Sequence, residues 1–324
     1  MRFLIISLLM MSFLASSCKK DLLSWKQIEK IDLGPGTERL NEILFLNDSI
    51  GIVAGGERFT KGLILLSTDT GRTWSQPAYA NPGKGLYGIS LTSDNRLYIA
   101  GFDGKLLRSD DWGQNWSLYQ SHYLPLKDVY FFTRDRGIVV GGVSFDQGFY
   151  AETNATGNAH PYDSSGFELN NIEMADPSSG YIACYGGILG TTDSGRHWAF
   201  QNAKNDNFTS VCILDKNEAW ACGYNGSIVH TTDGGENWEQ LRNGNDVTLP
   251  AYRLHDILFT DPLHGYAVGE KGIVIVSDDG GHHWMEFEKF TGQTLRSISK
   301  ASDGSLFICG DNLTLFRVWP AFLP

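Results

Sequence analysis

The chain has 324 residues, 42% of them hydrophobic and 19% charged, and its 26 Lys+Arg against 37 Asp+Glu give a net charge of −11. This composition excludes a disordered chain, and the lack of any basic block excludes nucleic-acid binding, which needs clustered Lys and Arg to neutralise phosphate. The 37 Gly, about 11% against a usual ~7%, together with 9 Trp, 18 Phe and 13 Tyr, predict many short strands joined by tight turns.

At the start of the chain, Arg2 precedes an apolar run from Phe3 to Leu14. That is too short for the ~20 residues of a membrane span and suits the apolar region of a signal peptide. The run ends in Leu14-Ala15-Ser16-Ser17-Cys18, which resembles the bacterial lipobox, where a Cys is lipidated and becomes the new N-terminus. Residues 1–17 are therefore expected to be a lipoprotein signal peptide and 18–23 a lipidated tether. The competing reading is an ordinary signal peptide with a chance Cys. Lys19-Lys20-Asp21 resembles the charged stretch of lipoproteins from Bacteroidetes-type bacteria, some of them surface-exposed. The expected location is the cell envelope, at the outer membrane and open to the cell surface, with Cys18 as the membrane anchor.

From residue 24 to 324 the sequence is repetitive. Five segments read Ser/Thr-x-Asp-x-Gly-x-x-Trp, with Asp69, Asp111, Asp193, Asp233 and Asp279 leading to Trp74, Trp116, Trp198, Trp238 and Trp284. The aspartates are spaced by 42, 82, 40 and 46 residues, so one repeat between Asp111 and Asp193 lacks its box. Upstream of each box position lies a second pattern, two short apolar runs around a polar turn. It begins at Leu40, Leu86, Leu126, Leu169, Phe208, Leu254 and Leu295. Each copy predicts four antiparallel strands, one blade of a propeller, which buries both faces only against neighbours. The predicted fold is all-β: a single seven-bladed β-propeller of four-stranded antiparallel blades with Asp-box turns. The last copy lacks a fourth strand, and Trp25-Lys26-Gln27-Ile28 resembles the strands that follow the boxes. The N-terminal strand is thus expected to close the last blade and leave no open edge.

The box residues have structural work to do. The Asp accepts turn N–H groups, the Gly supplies positive φ, and the Trp covers the hairpin. Asp-boxes also occur in sialidases, xyloglucanases and sortilin-type receptors. The longer unit GYAVGEKGIVIVSDDGGHHW, Gly265 to Trp284, resembles the photosystem II assembly and stability factor family of seven-bladed propellers, and the resemblance covers nearly all of residues 18–324. It implies a non-catalytic scaffold that binds assembly intermediates; with the lipid anchor, the expected function is a scaffold for a protein or cell-envelope ligand, with a monomeric body and no cofactor. The alternative is a glycan-binding, glycoside-hydrolase or sialidase-like propeller. Against it, the Arg-Ile-Pro signature of sialidases is absent, and no motif fixes a nucleophile or an acid.

Candidate sites follow from strand order. Links between blades share one face with the second-to-third strand turns, and the boxes occupy the other. The first face carries Arg39, Phe59, Tyr79, Phe102, Tyr123, Tyr185, Tyr224, Tyr252 and Arg253, aromatic and Arg residues of the kind that anchor interfaces. Packing between blades is the competing role for several of them. In the repeat without a box, period 41 places Glu152 at the Asp position. Phe145, Asp146, Phe149, Tyr150, Glu152, Tyr162 and Asp163 there combine aromatic surface with acceptors, as a binding loop would. No metal site is expected: His282-His283 reads as a solvated turn without a third ligand. Cys184, Cys222 and Cys309 sit at one strand position in different repeats and read as small buried hydrophobes. Cys212 and Cys222 lie on adjacent strands, either bridged or free.

Overall fold

The computed structural model describes residues 24–79, 81–120 and 122–320, with 159–162 and 204–205 described by backbone alone; the signal peptide, Cys18 and the tether lie outside them. The described chain is an all-β propeller, its strands arranged in consecutive sheets around a central channel. Hydrogen bonding resolves six sheets rather than seven of four strands each. The reason lies in one long strand, Ala199–Ile213: its first part pairs with Gly180–Thr191, and from Phe208 onward it pairs with Ala219–Gly223. It fuses two repeats into a six-stranded sheet.

The first sheet departs from the template in another way. It has three strands, Arg39–Phe45, Gly51–Glu57 and Lys61–Ser67, and only an isolated bridge from Leu66 to Ser75 where a fourth would run. The chain then crosses to the next sheet, where Ala78–Tyr79 pairs in parallel with Asn115–Gln120. The vacated edge is capped by a side chain. The Tyr79 hydroxyl donates to the Gly62 carbonyl at 2.9 Å and accepts from the Ile64 amide at 3.4 Å.

At the far end, the strand Trp25–Lys30 pairs antiparallel with Thr314–Pro320, so the N-terminal strand completes the sheet begun at Leu295. Strands sandwiched between neighbours, such as Leu97–Gly101, Ala219–Gly223 and Leu306–Gly310, are buried at every position. Both their faces meet apolar sheets, so they read as continuous hydrophobic runs instead of alternating. Each core cluster accordingly draws on adjacent sheets; Tyr266, Val268 and Val276 pack with Leu295, Ile298 and Leu306. The glycine ending the second strand recurs because the backbone is crowded there. A Cβ on Gly269 would lie 2.0 Å from the Arg253 carbonyl oxygen, and one on Gly310 2.0 Å from that of Thr294.

Successive inner strands touch in a closed cycle, Arg39–Phe45, Leu86–Leu91, Leu126–Thr133, Leu169–Met174, 208–213, Leu254–Phe259, Leu295–Lys300 and back to the first. No ladder joins them. Side chains do it instead, each accepting a backbone N–H from the next strand round. Glu42 accepts from Ile89 at 2.9 Å, Ser90 from Phe131 at 2.8 Å, Asp128 from Ile172 at 2.8 Å and Glu173 from Ile213 at 3.1 Å. The circle continues with Cys212 accepting from Phe259 at 3.2 Å, Asp256 from Ile298 at 2.9 Å and Ser297 from Ile43 at 3.3 Å.

The five boxes share the hydroxyl and aspartate bonds of one pattern, and the first three share its indole bond as well. In the second, Ser109 Oγ donates to Asp111 Oδ1 at 2.8 Å and accepts from Gly113 N at 2.9 Å. Asp111 accepts from the Asn115 amide at 2.9 Å, and the Trp116 indole donates to the Gly113 carbonyl at 2.8 Å. The residue before the box glycine is left-handed as well, at φ 63 for Thr70, 62 for Trp112 and 66 for Ser194. The boxless repeat keeps its four-stranded sheet and a degenerate form of the turn. Asn154 Oδ1 accepts from the Thr156 and Asn158 amides at 3.0 and 3.1 Å, Gly157 takes φ 71, and Ala155, buried, stands where the Asp would. The register is therefore three residues later than Glu152, which lies on the preceding strand, Gln147–Thr153.

Candidate ligand-binding site

The channel opens on the face opposite the boxes into a pocket of about 480 Å³. Its wall is built from equivalent positions of the inner strands. The residue after each opening Leu or Phe is Asn41, Tyr87, Lys127, Asn170, Thr209, His255 or Arg296, and all seven line the pocket. The following residue lies one step deeper and contributes Glu42, Asp128, Asn171, Ser210, Asp256 and Ser297. The second strand has Gly88 there because a Cβ would lie 1.9 Å from Asp128 Oδ1. Arg39, Arg58, Phe102, Val143, Glu168, Asn207 and Tyr224 form the rim.

The wall is internally tied. Lys127 Nζ lies 2.8 Å from Glu168 and donates to Asn170 at 2.7 Å, and Asn170 donates in turn to Asn207 at 2.8 Å. Burial lowers the pKa of Lys127, partly offset by Glu168. Arg296 forks onto Asp311, which also lies 3.8 Å from Arg39. Burial, with Arg296 beside it, pushes His255 down to about 4, so this ring is a neutral imidazole. Arg58 is exposed, its guanidinium 4.7 Å from the Phe102 ring and 5.1 Å from that of Phe59, a cation–π arrangement that leaves its charge free for a ligand.

Below this basic and aromatic rim the charge reverses. Glu42, Asp128, Glu173 and Asp256 lie beneath the rim on the inner strands, Asp128 buried and the other three half-buried. Burial raises every one, and repulsion from the others adds to it at Glu42, Asp128 and Glu173: Asp128 is pushed up to about 7 and Glu173 to about 8. Each accepts at least one N–H of the ring, and the two aspartates commit both oxygens to it. Asp128 accepts from Val129 N, Ile172 N and Asn171 Nδ2, and Asp256 from Ile257 N, Ile298 N and Ser210 Oγ. Among the described residues, no group of three His, Cys, Asp or Glu side chains is placed to hold a metal ion.

The residues expected on this face separate into two groups. Arg39, Phe102 and Tyr224 line the pocket; Phe59 packs edge-on to Phe102, and Tyr123 is exposed nearby. Tyr79 and Tyr252 instead pack between sheets, and the Arg242 guanidinium lies 4.7 Å from the Tyr252 ring. Arg253 turns away from the pocket, donating to the Tyr224 hydroxyl at 2.8 Å beside Glu270. Of the irregular repeat, Phe149 is core and Tyr150 packs near Trp198, which removes both from a binding surface. Glu152 pairs with Arg136, Asp146 accepts from Ser144, and Asp163 is exposed; the Tyr162 side chain lies outside the described residues. Phe145 stays on the surface with Tyr185, their ring centroids 4.9 Å apart. Cys212 pairs in register with Trp220 and Cys222 with Ser210, so the two are not opposite one another, and both are free thiols.

Comparison with known proteins narrows the class. The family described as Photosynthesis system II assembly factor YCF48 matches residues 162–251. The chain is a β-propeller similar to the photosystem II assembly factors. It is 32% identical over 76 residues to the photosystem II assembly lipoprotein Ycf48 of Synechococcus sp. (strain CC9902), and the match spans 22% of this chain and 23% of that one, under a quarter of either. The fold is similar to that of YCF48 from Cyanidioschyzon merolae, with a TM-score of 0.69 at 17% identity, covering 91% of this chain and 99% of the other. A structure titled YCF48 bound to D1 peptide gives a TM-score of 0.68 at 17% identity, covering 94% and 99%.

Proposed function

We propose that this photosystem II assembly factor-like chain is a seven-bladed, non-catalytic scaffold, held in the cell envelope through Cys18 at the outer membrane, that binds a segment of a protein partner in the channel-mouth pocket. Seven inner strands in a closed cycle support the blade count, with the six-stranded sheet taken as two blades sharing Ala199–Ile213. One observation carries the functional reading. The pocket offers three guanidinium groups, Arg39, Arg58 and Arg296, beside Tyr87, Phe102 and Tyr224, while every carboxylate beneath is bound to backbone N–H groups of the ring. Such a site suits recognition through fixed aromatic and cationic anchors. A relative whose structure is titled as bound to a peptide supports a polypeptide as the ligand class.

The alternative, a glycan-binding or glycan-cleaving propeller, draws on Glu42, Asp128 and Asp256 lining the same pocket as the arginines. A general acid and its partner must reach the scissile bond. Asp128 and Asp256 spend both oxygens on backbone and side-chain donors of the ring, and Glu42 spends one on Ile89 N.

The test is affinity capture from the producing organism's envelope, comparing the natural protein with Arg58→Ala and Arg58→Ala/Phe102→Ala, followed by mass spectrometry. A protein held by the natural chain and lost from both variants supports the scaffold. Release of reducing ends from envelope polysaccharide, abolished by Asp128→Asn in a folded protein, would replace it with the glycosidase reading.

A further inference from the structure

A second cavity, of about 270 Å³, opens on the box face between the repeats that begin at Leu169 and Phe208. Tyr181, Trp198 and Gln201 line it from the first of these repeats, and Gly234 lines it from the box of the next. Tyr181 is 6% exposed, and its hydroxyl has no hydrogen-bond partner among the described residues. Two counterparts at the same strand position are satisfied: the Tyr98 hydroxyl donates to the Arg134 carbonyl, and the Trp220 indole to the Gly280 carbonyl at 3.0 Å. A third, Tyr266, is also unpaired but is sealed from solvent, whereas Tyr181 borders a cavity. Gln201 adds a second open valence. Its Nε2 donates to the Ala199 carbonyl at 3.1 Å, which leaves Oε1 unpaired. A Cβ on Gly235 would lie 2.7 Å from Tyr181 Oη and 2.9 Å from Gln201 Oε1, so both atoms converge on a place that a glycine keeps open.

We propose that this cavity binds one neutral pyranose ring, its hydroxyls paired with Tyr181 and Gln201 and its C–H edge laid on Trp198. Size, charge and acceptor balance each point to that class. The volume lies just below the ~300 Å³ at which sites for drug-sized ligands begin, room for a single substituted ring. Among the described residues no Lys or Arg lines it, so a phosphate or carboxylate finds no counter-charge there. A cationic amine fares no better, because the one carboxylate is spent: Asp193 Oδ1 accepts from Thr191 Oγ1 at 2.9 Å and His197 N at 3.0 Å, and Oδ2 holds His197 Nδ1 at 2.6 Å. With Nδ1 tied in this way, a neutral His197 ring presents Nε2 as an acceptor. Gln201 Oε1 and His197 Nε2 therefore both call for donors, which sugar hydroxyls supply. Trp198, half-buried, spends its indole N–H on the Gly195 carbonyl at 3.1 Å and offers the ligand apolar ring alone.

The experiment titrates the lipidated protein, in proteoliposomes of phosphatidylethanolamine and phosphatidylglycerol, with methyl glycosides of glucose, galactose, mannose and N-acetylglucosamine, read by saturation-transfer NMR. The methyl glycosides stand for a glycan end and the free hexoses, run beside them, for a soluble sugar; capture of either bears out the site. Tyr181→Phe removes a buried hydroxyl without a partner, so it should keep or raise the melting temperature while weakening the bound sugar ~10-fold. Gln201→Ala should weaken it similarly. Binding of no sugar, the result if the cavity holds water alone, overturns the proposal. A sugar held equally by the natural protein and both variants places it elsewhere, the channel pocket included, and overturns the site. Benzylamine captured in place of any sugar, and lost from Tyr181→Phe, would make the ligand an amine and overturn the pyranose.

Discussion

Asp128 Oδ2 accepts the Ile172 amide at 2.8 Å across a junction between inner strands that no ladder hydrogen bond crosses. The same carboxylate also takes the Val129 amide and the Asn171 side chain, so three donors depend on one residue. Buried donors stripped of their acceptor cost ~1–3 kcal/mol each, partly offset here by no longer burying a carboxylate. Asp128→Ala should lower stability by about 2–4 kcal/mol in urea unfolding, and Asp128→Asn, which keeps one acceptor oxygen, by less. Equal losses for the two would show that the hydrogen bonds contribute nothing beyond volume.

The same ring sets a pH dependence. Asp128 and Glu173 titrate near 7 and 8 in the folded protein, against ~4 when unfolded. A raised folded pKa means that the folded state holds protons which the unfolded state has already released. Stability from these groups is complete below about pH 4, declines as pH rises through 7 to 8, and is flat above. The box aspartates act oppositely, losing their contribution only in acid, where Asp69 and Asp279, lowered by turn hydrogen bonds, become protonated. Between pH 5.5 and 8.5 the melting temperature should therefore fall. Glu173→Gln should flatten that slope, and a slope unchanged by it would dissociate the ring from the effect.

Trp116 is buried in its box and donates its indole hydrogen to the Gly113 carbonyl at 2.8 Å. Trp116→Ala removes a large apolar side chain and should cost ~3–5 kcal/mol. Asp111→Ala, at the exposed end of the same turn, should lower the melting temperature by less. Neither change should alter ligand capture at the other face, which the pull-down assay checks directly.

Four thiols report on the interior. Cys184, Cys212, Cys222 and Cys309 are free and buried, and burial pushes all four thiols well above the usual range, Cys184 up to about 12. All four should be silent to a thiol reagent at pH 8 in the native protein and react together in guanidinium. Titration of any one ahead of unfolding would contradict the packing described for its sheet.

Much of this architecture was legible because the repeat writes the same physics many times. Each box announces its turn, and each Leu or Phe opening an inner strand announces a buried edge. The pocket was harder to read. Asn41, Tyr87, Lys127, Asn170, Thr209, His255 and Arg296 share a strand position but no chemistry, and only the ring closure brings them to one mouth. Arg58 was missed because it lies in a turn whose length varies between repeats. Phe149 and Tyr150 were misplaced because the missing aspartate hid the register: with Ala155 at the Asp position, the turn fell three residues later than the period implied, which sends those rings inward.

The pairing of Trp25–Lys30 with Thr314–Pro320 joins the first described strand to the last. During synthesis the early strand emerges with no partner and must wait for almost the whole chain before its edge is covered. Ring closure is consequently the latest event available to this protein, and by loop-closure entropy among the slowest. Until then Trp25 is denied its bond to the Glu288 carbonyl and its packing against Phe287 and Phe290. The open intermediate exposes one unpaired strand at each end, the state in which neighbouring chains can exchange strands. A chain ending before Thr314 should accordingly be recovered in aggregates or degraded, however sound its other sheets. The latch that makes the disc a circle also commits the chain to folding only once it is whole.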